Sequence, residues 1–310
     1  MALDRESLRQ KTIGVLCGGL SAEREVSLRT GGEVHRALQE AGYRSVLIDA
    51  GRDLAEQLRA EGVEIAFVAL HGRFGEDGRV QGLLEMLGIP YTGSGVLASA
   101  LAIDKVATKK ILLYHELPTP GFVVFRRGDD REALLERCRH FPLVVKPARE
   151  GSTIGISIVH DRDELAAGLD TALELDDQVL VEDYIAGMEV TVSVLDDEAL
   201  PIIQIVPKGG FYDYKAKYTA GQTRYILPAL LPPLVYRRLQ QVSVEACRIL
   251  GCRGAARVDF MVQEREFYIL EINTVPGMTP TSLLPKAALR AGMSFTELVV
   301  RMLLDADLDK

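Results

Sequence analysis

A chain of 310 residues is longer than one hydrophobic core usually fills, so two or three domains are expected. Hydrophobic residues at 47% and charged ones at 26% suit an ordinary water-soluble globular protein, and a net charge of -8 argues against nucleic acid or an anionic membrane as partner. Cys17, Cys138, Cys247 and Cys252 are scattered without a Cys-x-x-Cys pair, which indicates neither a zinc site nor a disulfide framework. The N-terminal stretch lacks the apolar core of a signal peptide, and the longest apolar runs fall short of a membrane span. A reduced, cytoplasmic protein is expected.

In chain order, residues 12–16 read as a strand entering a loop from Cys17 to Ser21. A helical spacing of Val26, Val34, Ala37, Leu38 and Ala41 follows. Strand, glycine turn and helix make a Rossmann-like start, whose helix N-terminus favours anions. The glycines do not match G-x-G-x-x-G, so a dinucleotide fingerprint is weak. Glu23 falls in the first turn, and spacing alone favours a capping role for it. A second unit has a strand over 45–49, a helix over 54–60 and a strand over 65–70. It ends in the polar loop His71-Gly72-Arg73-Phe74-Gly75-Glu76-Asp77-Gly78, at the strand end where α/β folds place ligands. That position favours a functional His71 over a capping one.

Helices are predicted over 80–87, 96–102 and 104–114, and Leu117-Pro118-Thr119-Pro120 marks a boundary. Beyond it come a strand over 122–125, a helix over 131–139 and a strand over 143–146. The turn from Arg149 to Gly155 can fold over a phosphate, although any hairpin favours glycine. Strands over 156–159, 179–185 and 190–195 follow, then a stretch over 209–221 without periodicity. A loop that long is usually functional or disordered.

The stretch from Arg257 to Gly277 carries the strongest chemistry. Two apolar runs flank the polar residues 263–266, a hairpin signal. Alternation places Arg257, Asp259 and Met261 on one face, and Glu271 with Asn273 on a face opposite Tyr268, Leu270 and Ile272. A three-residue loop over 264–266 would set Asp259 across from Glu271 and Arg257 across from Asn273. Carboxylates at cross-strand distance repel, so a positive group should sit between them, and hard oxygen donors suit Mg²⁺. The alternative is a hairpin with one solvated face.

Six motifs, CGGLSAEREVS, ALHGRFGEDG, YTGSGVLASALAIDK, VVKPAREGSTIG, FYDYKAKY and RVDF…LEINTVPGMTPTSLLP, together resemble the D-alanine–D-alanine ligase family of the ATP-grasp superfamily, nearly end to end. The resemblance implies an α/β fold, α+β in the ATP-grasp part. A Rossmann-like pre-ATP-grasp domain (1–104) would precede two ATP-grasp subdomains (105–188 and 189–310). It further implies an ATP-dependent ligase that joins two D-alanines through a D-alanyl phosphate for peptidoglycan synthesis, and a homodimer.

Carried onto matching positions, the family's roles give Lys105, Lys146 and Lys217 to the nucleotide, its phosphates falling to the first two. Glu182 and Ile185 line the adenine site, and Glu189 takes the ribose. Asp259, Glu271 and Asn273 hold two Mg²⁺ ions, with Mn²⁺ as an alternative. Glu23 holds the first substrate's ammonium near His71, which displaces the capping reading. Ser152 closes over the site with Tyr218 bonded to it, Arg257 stabilises the oxyanion, and Ser282 with the Leu283 amide receives the second carboxylate. Two departures stand out: Asp183 where a basic residue is common, and Thr153 where Ser is common. Rival expectations are a D-lactate- or D-serine-using ligase, a non-catalytic ATP-binding sensor, and an NAD-dependent dehydrogenase.

Overall fold

The computed structural model describes residues 4–209, 212, 219 and 221–309. Asp4 caps the short helix α1 (Arg5–Gln10) by accepting from the Ser7 amide, and β1 (Ile13–Cys17) is buried at every position. A near-continuous apolar run of that kind marks a parallel strand covered on both faces. Around it lie α2 (Arg24–Glu40), β2 (Ser45–Asp49), α3 (Leu54–Ala60) and β3 (Ile65–Val68), and the strands form a parallel sheet in the order β2-β1-β3. The predicted strand over 65–70 stops two residues early. Ala69 and Leu70 remain buried while the chain turns toward His71. Three helices then follow, α4 (Arg79–Leu87), α5 (Val96–Ile103) and α6 (Lys105–Tyr114).

The second sheet is antiparallel, built from β4 (Phe122–Arg126), β5 (Leu143–Pro147), β6 (Ser157–Val159) and β7 (Gln178–Asp183) in the order β4-β7-β5-β6. Helix α7 (Arg131–Arg137) joins β4 to β5, and α8 (Arg162–Leu175) joins β6 to β7. Leu165, Leu169 and Leu173 of α8 pack with Val145, Val159 and Val181 in one core. Helix α8 is not among the predicted elements, yet Asp161-Arg-Asp-Glu164 is a start signal: Asp161 accepts from the Glu164 amide at 2.8 Å and Glu164 from the His160 amide at 2.7 Å.

The third sheet comprises β8 (Met188–Leu195), β9 (Glu198–Ala199), β10 (Ile203–Pro207), β11 (Thr223–Ile226), β12 (Ala255–Gln263) and β13 (Glu266–Asn273), ordered β11-β10-β8-β12-β13 with β9 paired to β8. Helix α9 (Pro233–Leu250) covers it, sharing a core with Val192, Val258, Phe260 and Ile272. The chain ends in α10 (Leu283–Arg290) and α11 (Phe295–Leu304).

At the β12–β13 hairpin the expected pairing appears by a different route. Gln263 pairs with Glu266, which leaves a two-residue turn, with Glu264 at φ 56°. That turn alone would offset the register by one. A bulge corrects it: Phe260 pairs with Ile269 but Asp259 with Glu271, leaving Leu270 as the extra residue. The inward face therefore carries Ile269 and Ile272 rather than Tyr268, Leu270 and Ile272. Beyond the bulge Arg257 faces Asn273, and the acids face each other as parity required.

Candidate active site

Glu23 stands at the N-cap of α2, yet its side chain makes no capping bond. The carboxylate instead accepts from the Ser152 hydroxyl. Two glycines let it approach: a Cβ on Gly72 would lie 2.6 Å from Glu23 Oε2, and one on Gly151 would lie 2.7 Å from it. Any side chain there would displace the carboxylate. Ser152 and Thr153 both hold positive φ, 50° and 64°, a region few non-glycine residues enter. Thr153 Oγ1 donates to the Tyr212 carbonyl at 3.0 Å, so both residues of this turn are anchored through their side chains.

His71, buried behind this acid, lies between Thr30 Oγ1 at 3.1 Å from Nε2 and Glu76 Oε1 at 3.5 Å from Nδ1. Burial opposes charge on the imidazole, but the Glu76 carboxylate, helped by Glu23, outweighs it and raises the pKa above the ordinary histidine value.

The loop containing Ser152 is fixed at its base. Asp176 accepts from the Arg149 amide at 2.9 Å and from Arg149 Nε at 3.1 Å. Lys105 Nζ donates to the Glu150 carbonyl at 2.6 Å and lies 3.4 Å from Glu271 Oε2.

On β12, Arg257 forks onto Asp259 with Nε at 2.9 Å and Nη2 at 2.8 Å, and Thr191 Oγ1 donates to Asp259 Oδ1 at 2.6 Å. Burial works against the guanidinium, but Asp259 and Glu271 more than offset it and keep it firmly protonated. Each acid of the facing pair thus meets a cation of the chain, Asp259 through Arg257 and Glu271 through Lys105. Asn273 Oδ1 accepts from the Val275 amide at 3.3 Å. Ser282 directly precedes α10 without capping it; its Oγ accepts from the Thr279 amide at 3.1 Å.

A cavity of about 190 Å³ joins these elements. Glu23, His71, Lys105, Ser152, Arg257, Glu271, Asn273, Ser282 and Leu283, all expected site residues, line it. Asp259 sits beneath Arg257 and does not. Both acids (Glu23, Glu271) and cations (Lys105, Arg257) line the wall, a mixture suited to a small zwitterion meeting a polyanion.

Two expected nucleotide residues, Glu182 and Lys146, meet outside that cavity's lining. Glu182 on β7 is buried between two lysines: Lys146, hydrogen-bonded to Oε1, and Lys109 at 2.9 Å from Oε2. Burial would raise the carboxyl's pKa, yet the two ammonium groups hold it below the ordinary glutamate value. Lys109 also donates to Thr119 Oγ1 at 2.5 Å and to the Pro120 carbonyl at 3.1 Å, while Thr119 donates to the Ile269 carbonyl at 2.8 Å. Burial brings Lys109 down to about 8. Ile185 follows β7 half-buried, and Glu189 on β8 sits between Ile205 and Met261. Lys217 and Tyr218 lie outside the described residues.

Sequence reasoning passed over Lys109, Thr191, Asp176 and the hydroxyl pair Tyr212–Tyr225 at 3.0 Å. Lys109 carried a signal, since it lies four residues after Lys105 on one helix face, where like charges repel unless an acid meets them. Thr191 becomes visible only through the β8–β12 pairing, which no local pattern encodes. Among the described residues no group of three or more His, Cys, Asp or Glu side chains is placed to hold a metal. The expected donor set has two carboxylates and an amide.

A model of the D-ala D-ala ligase C-terminus matches residues 111–304, and a model of the N-terminus matches residues 50–94. The D-alanine–D-alanine ligase of Syntrophotalea carbinolica is 65% identical, covering 99% of this chain and all of that one. That of Geobacter sulfurreducens is 51% identical over 99% and 97% of the two chains. A crystal structure of the Bacillus anthracis D-alanine–D-alanine ligase complexed with ATP superposes with a TM-score of 0.83, at 40% identity over 95% of this chain and 96% of that one.

Proposed function

The chain belongs to the D-alanine–D-alanine ligase family and makes D-alanyl-D-alanine in an ATP-dependent reaction; from that premise we propose how its residues divide the work. The first D-alanine lies with its ammonium against Glu23 and its carboxylate toward Arg257. Ser152, bonded to Glu23, lies over it, and His71 fixes the adjoining wall. Ser282 and the Leu283 amide take the carboxylate of the second. Lys105 and Lys146 take the ATP phosphates, as compact point charges that follow a phosphoryl group without demanding one geometry. Glu182 and Ile185 contact the adenine, Glu189 the ribose hydroxyls, and Lys217 the nucleotide.

Asp259, Glu271 and Asn273 fit Mg²⁺, an ion that takes one or two carboxylates and completes its shell with water and phosphate oxygens. We assign them two ions, with Glu271 shared and Mn²⁺ an acceptable substitute. Bound there, the metal supplies charge neutralisation to the phosphoryl oxygens.

A carboxylate is a poor acyl donor, so the first D-alanine attacks the γ-phosphorus of ATP and becomes an acyl phosphate, releasing ADP. The amine of the second D-alanine then adds to the acyl carbon. Arg257 donates to the oxygen that gains charge, an interaction worth roughly 3 kcal/mol. Collapse expels phosphate and leaves the dipeptide. The turn at Ser152, with Tyr218 and the segment around it, keeps water from the acyl phosphate. We further propose a cytoplasmic homodimer with domain limits at 104 and 188.

The observation that carries this reading is the single cavity joining the Glu23–Ser152 bond to Arg257 and Glu271. Glu271→Gln tests it. Turnover, followed as D-alanine-dependent phosphate release, should vanish, and ADP affinity should fall only when Mg²⁺ is present. Wild-type turnover in the variant sinks the metal assignment.

A further inference from the structure

Cys247 and Cys252, five residues apart in sequence, are brought together by the end of α9. The helix closes in a Schellman turn: Gly251 takes φ 74°, its amide donates to the Arg248 carbonyl at 3.0 Å, and the Cys252 amide donates to the Cys247 carbonyl at 2.8 Å. In that motif the residue three from the helix end and the second residue beyond it place their side chains against one another. Ordinarily two apolar groups meet there; here two thiols do. Cys247 is buried in the core beneath the third sheet, whereas Cys252 is half-buried, and both line a surface cavity of about 500 Å³. The pair therefore has one inner and one approachable sulfur.

We propose that Cys252 and Cys247 form a redox modification site that a low-molecular-weight disulfide converts to an intramolecular Cys247–Cys252 bridge. The Cys252 thiolate attacks one sulfur of the disulfide, forming a mixed disulfide and releasing one thiolate. Cys247 then loses its proton to solvent, attacks the Cys252 sulfur and expels the second small thiolate. Two cysteine thiols are oxidised and one small disulfide is reduced to two thiols, so atoms and electrons balance. The order of attack follows from access. It also follows from the hydrogen bond that Cys247 donates to Cys252: accepting it holds the Cys252 thiol below its ordinary pKa, while donating it, together with burial, pushes Cys247 up. The bridge would pin α9 to the start of β12, three residues on. There the Arg253 amide already donates to Ser94 Oγ at 3.1 Å and the Asp196 amide to the Gly254 carbonyl at 3.0 Å.

The test incubates the native full chain with oxidised glutathione, quenches with acid, alkylates in denaturant and maps the peptides by mass. The chain has four cysteines, all free here, so the titre should fall from four to two with loss of two hydrogens and no retained adduct. Cys247→Ser should stop at one glutathione on Cys252, and Cys252→Ser should keep its three thiols at the same exposure. Cys247→Ala serves if the serine variant fails to accumulate. A wild-type chain that stops at the adduct, resists oxidation, or bridges through Cys17 or Cys138 overturns the proposal.

Discussion

Glu182 would be untenable alone, because an ionised carboxyl removed from water costs several kcal/mol. Lys109 and Lys146 answer it from opposite sides, but the arrangement leaves an excess cation whose ammonium is fully buried. The expense falls on Lys109, whose folded pKa of about 8 lies below the 10.5 of a free lysine. Between those values the unfolded chain holds a proton that the folded chain has released, so stability rises with pH through that window. Below pH 8 the cost of burying the ammonium is felt in full. Lys109→Met removes the group, and the stability difference between wild type and variant should shift by about 1 kcal/mol in favour of wild type from pH 8 to pH 9. Urea unfolding of both proteins at half-unit intervals reads this directly. A flat difference means that Lys109 keeps its proton and the lysine pair is a plain ion pair.

Among the elements, the turn at 150–155 depends most on a partner far away in sequence. Asp176, at the end of α8, accepts from the Arg149 amide and guanidinium and from the Gln178 amide at 3.2 Å. The turn it steadies contains two non-glycine residues in left-handed conformations, each costing roughly 1–2 kcal/mol unless held. Asp176→Asn keeps the shape and discards the charge on those bonds, which are worth about 1.5–3 kcal/mol each. KM for D-alanine should rise about tenfold, as a loss near 1.4 kcal/mol gives, with kcat changed less, and protease should cut within 150–155 more readily. Unchanged KM and cleavage would make Arg149–Asp176 a surface tie only. The sequence announced this turn by its glycines but not its clamp, because a glycine acts locally while a carboxylate's partner depends on the fold. The hairpin gives the same lesson in another form. Alternation located the acid pair correctly, yet the two-residue turn and the bulge at Leu270 were invisible, since their effects on register cancel. The nucleotide roles proposed for Lys146 and Glu182 rest on resemblance; their mutual pairing is seen only because strands β5 and β7 lie side by side.

For the whole molecule, the two ends of the chain are one packing unit. Leu8, Val15, Val34 and Leu38 near the start share a core with Leu284, Leu298, Val299 and Leu303 near the end, and α11 packs against α2. The same core takes in Leu195, Ile203 and Ala255 of the third sheet. Glu23, carried at the head of α2, is therefore held at a fixed setting to β12 and α10 by apolar contact. The second sheet keeps a separate core of its own, with α8 on it. The residues carried by this sheet and its turns, Lys146 and Ser152 among them, therefore rest on a packing unit separate from the one that sets Glu23 against β12 and α10. This division yields a prediction. Leu303 is fully buried in the shared core, and Leu303→Ala should cost about 2–5 kcal/mol by leaving a cavity. If the ends form one cooperative unit, amide exchange in β1 and α2 should speed up along with that in α11, although the substitution lies more than two hundred residues away from them. Exchange in β5 and β7, whose core the substitution does not touch, should keep its wild-type rate under the same conditions. Hydrogen exchange by mass spectrometry on both proteins decides it, since loosening confined to α11 would mean that the N-terminal sheet is stable on its own.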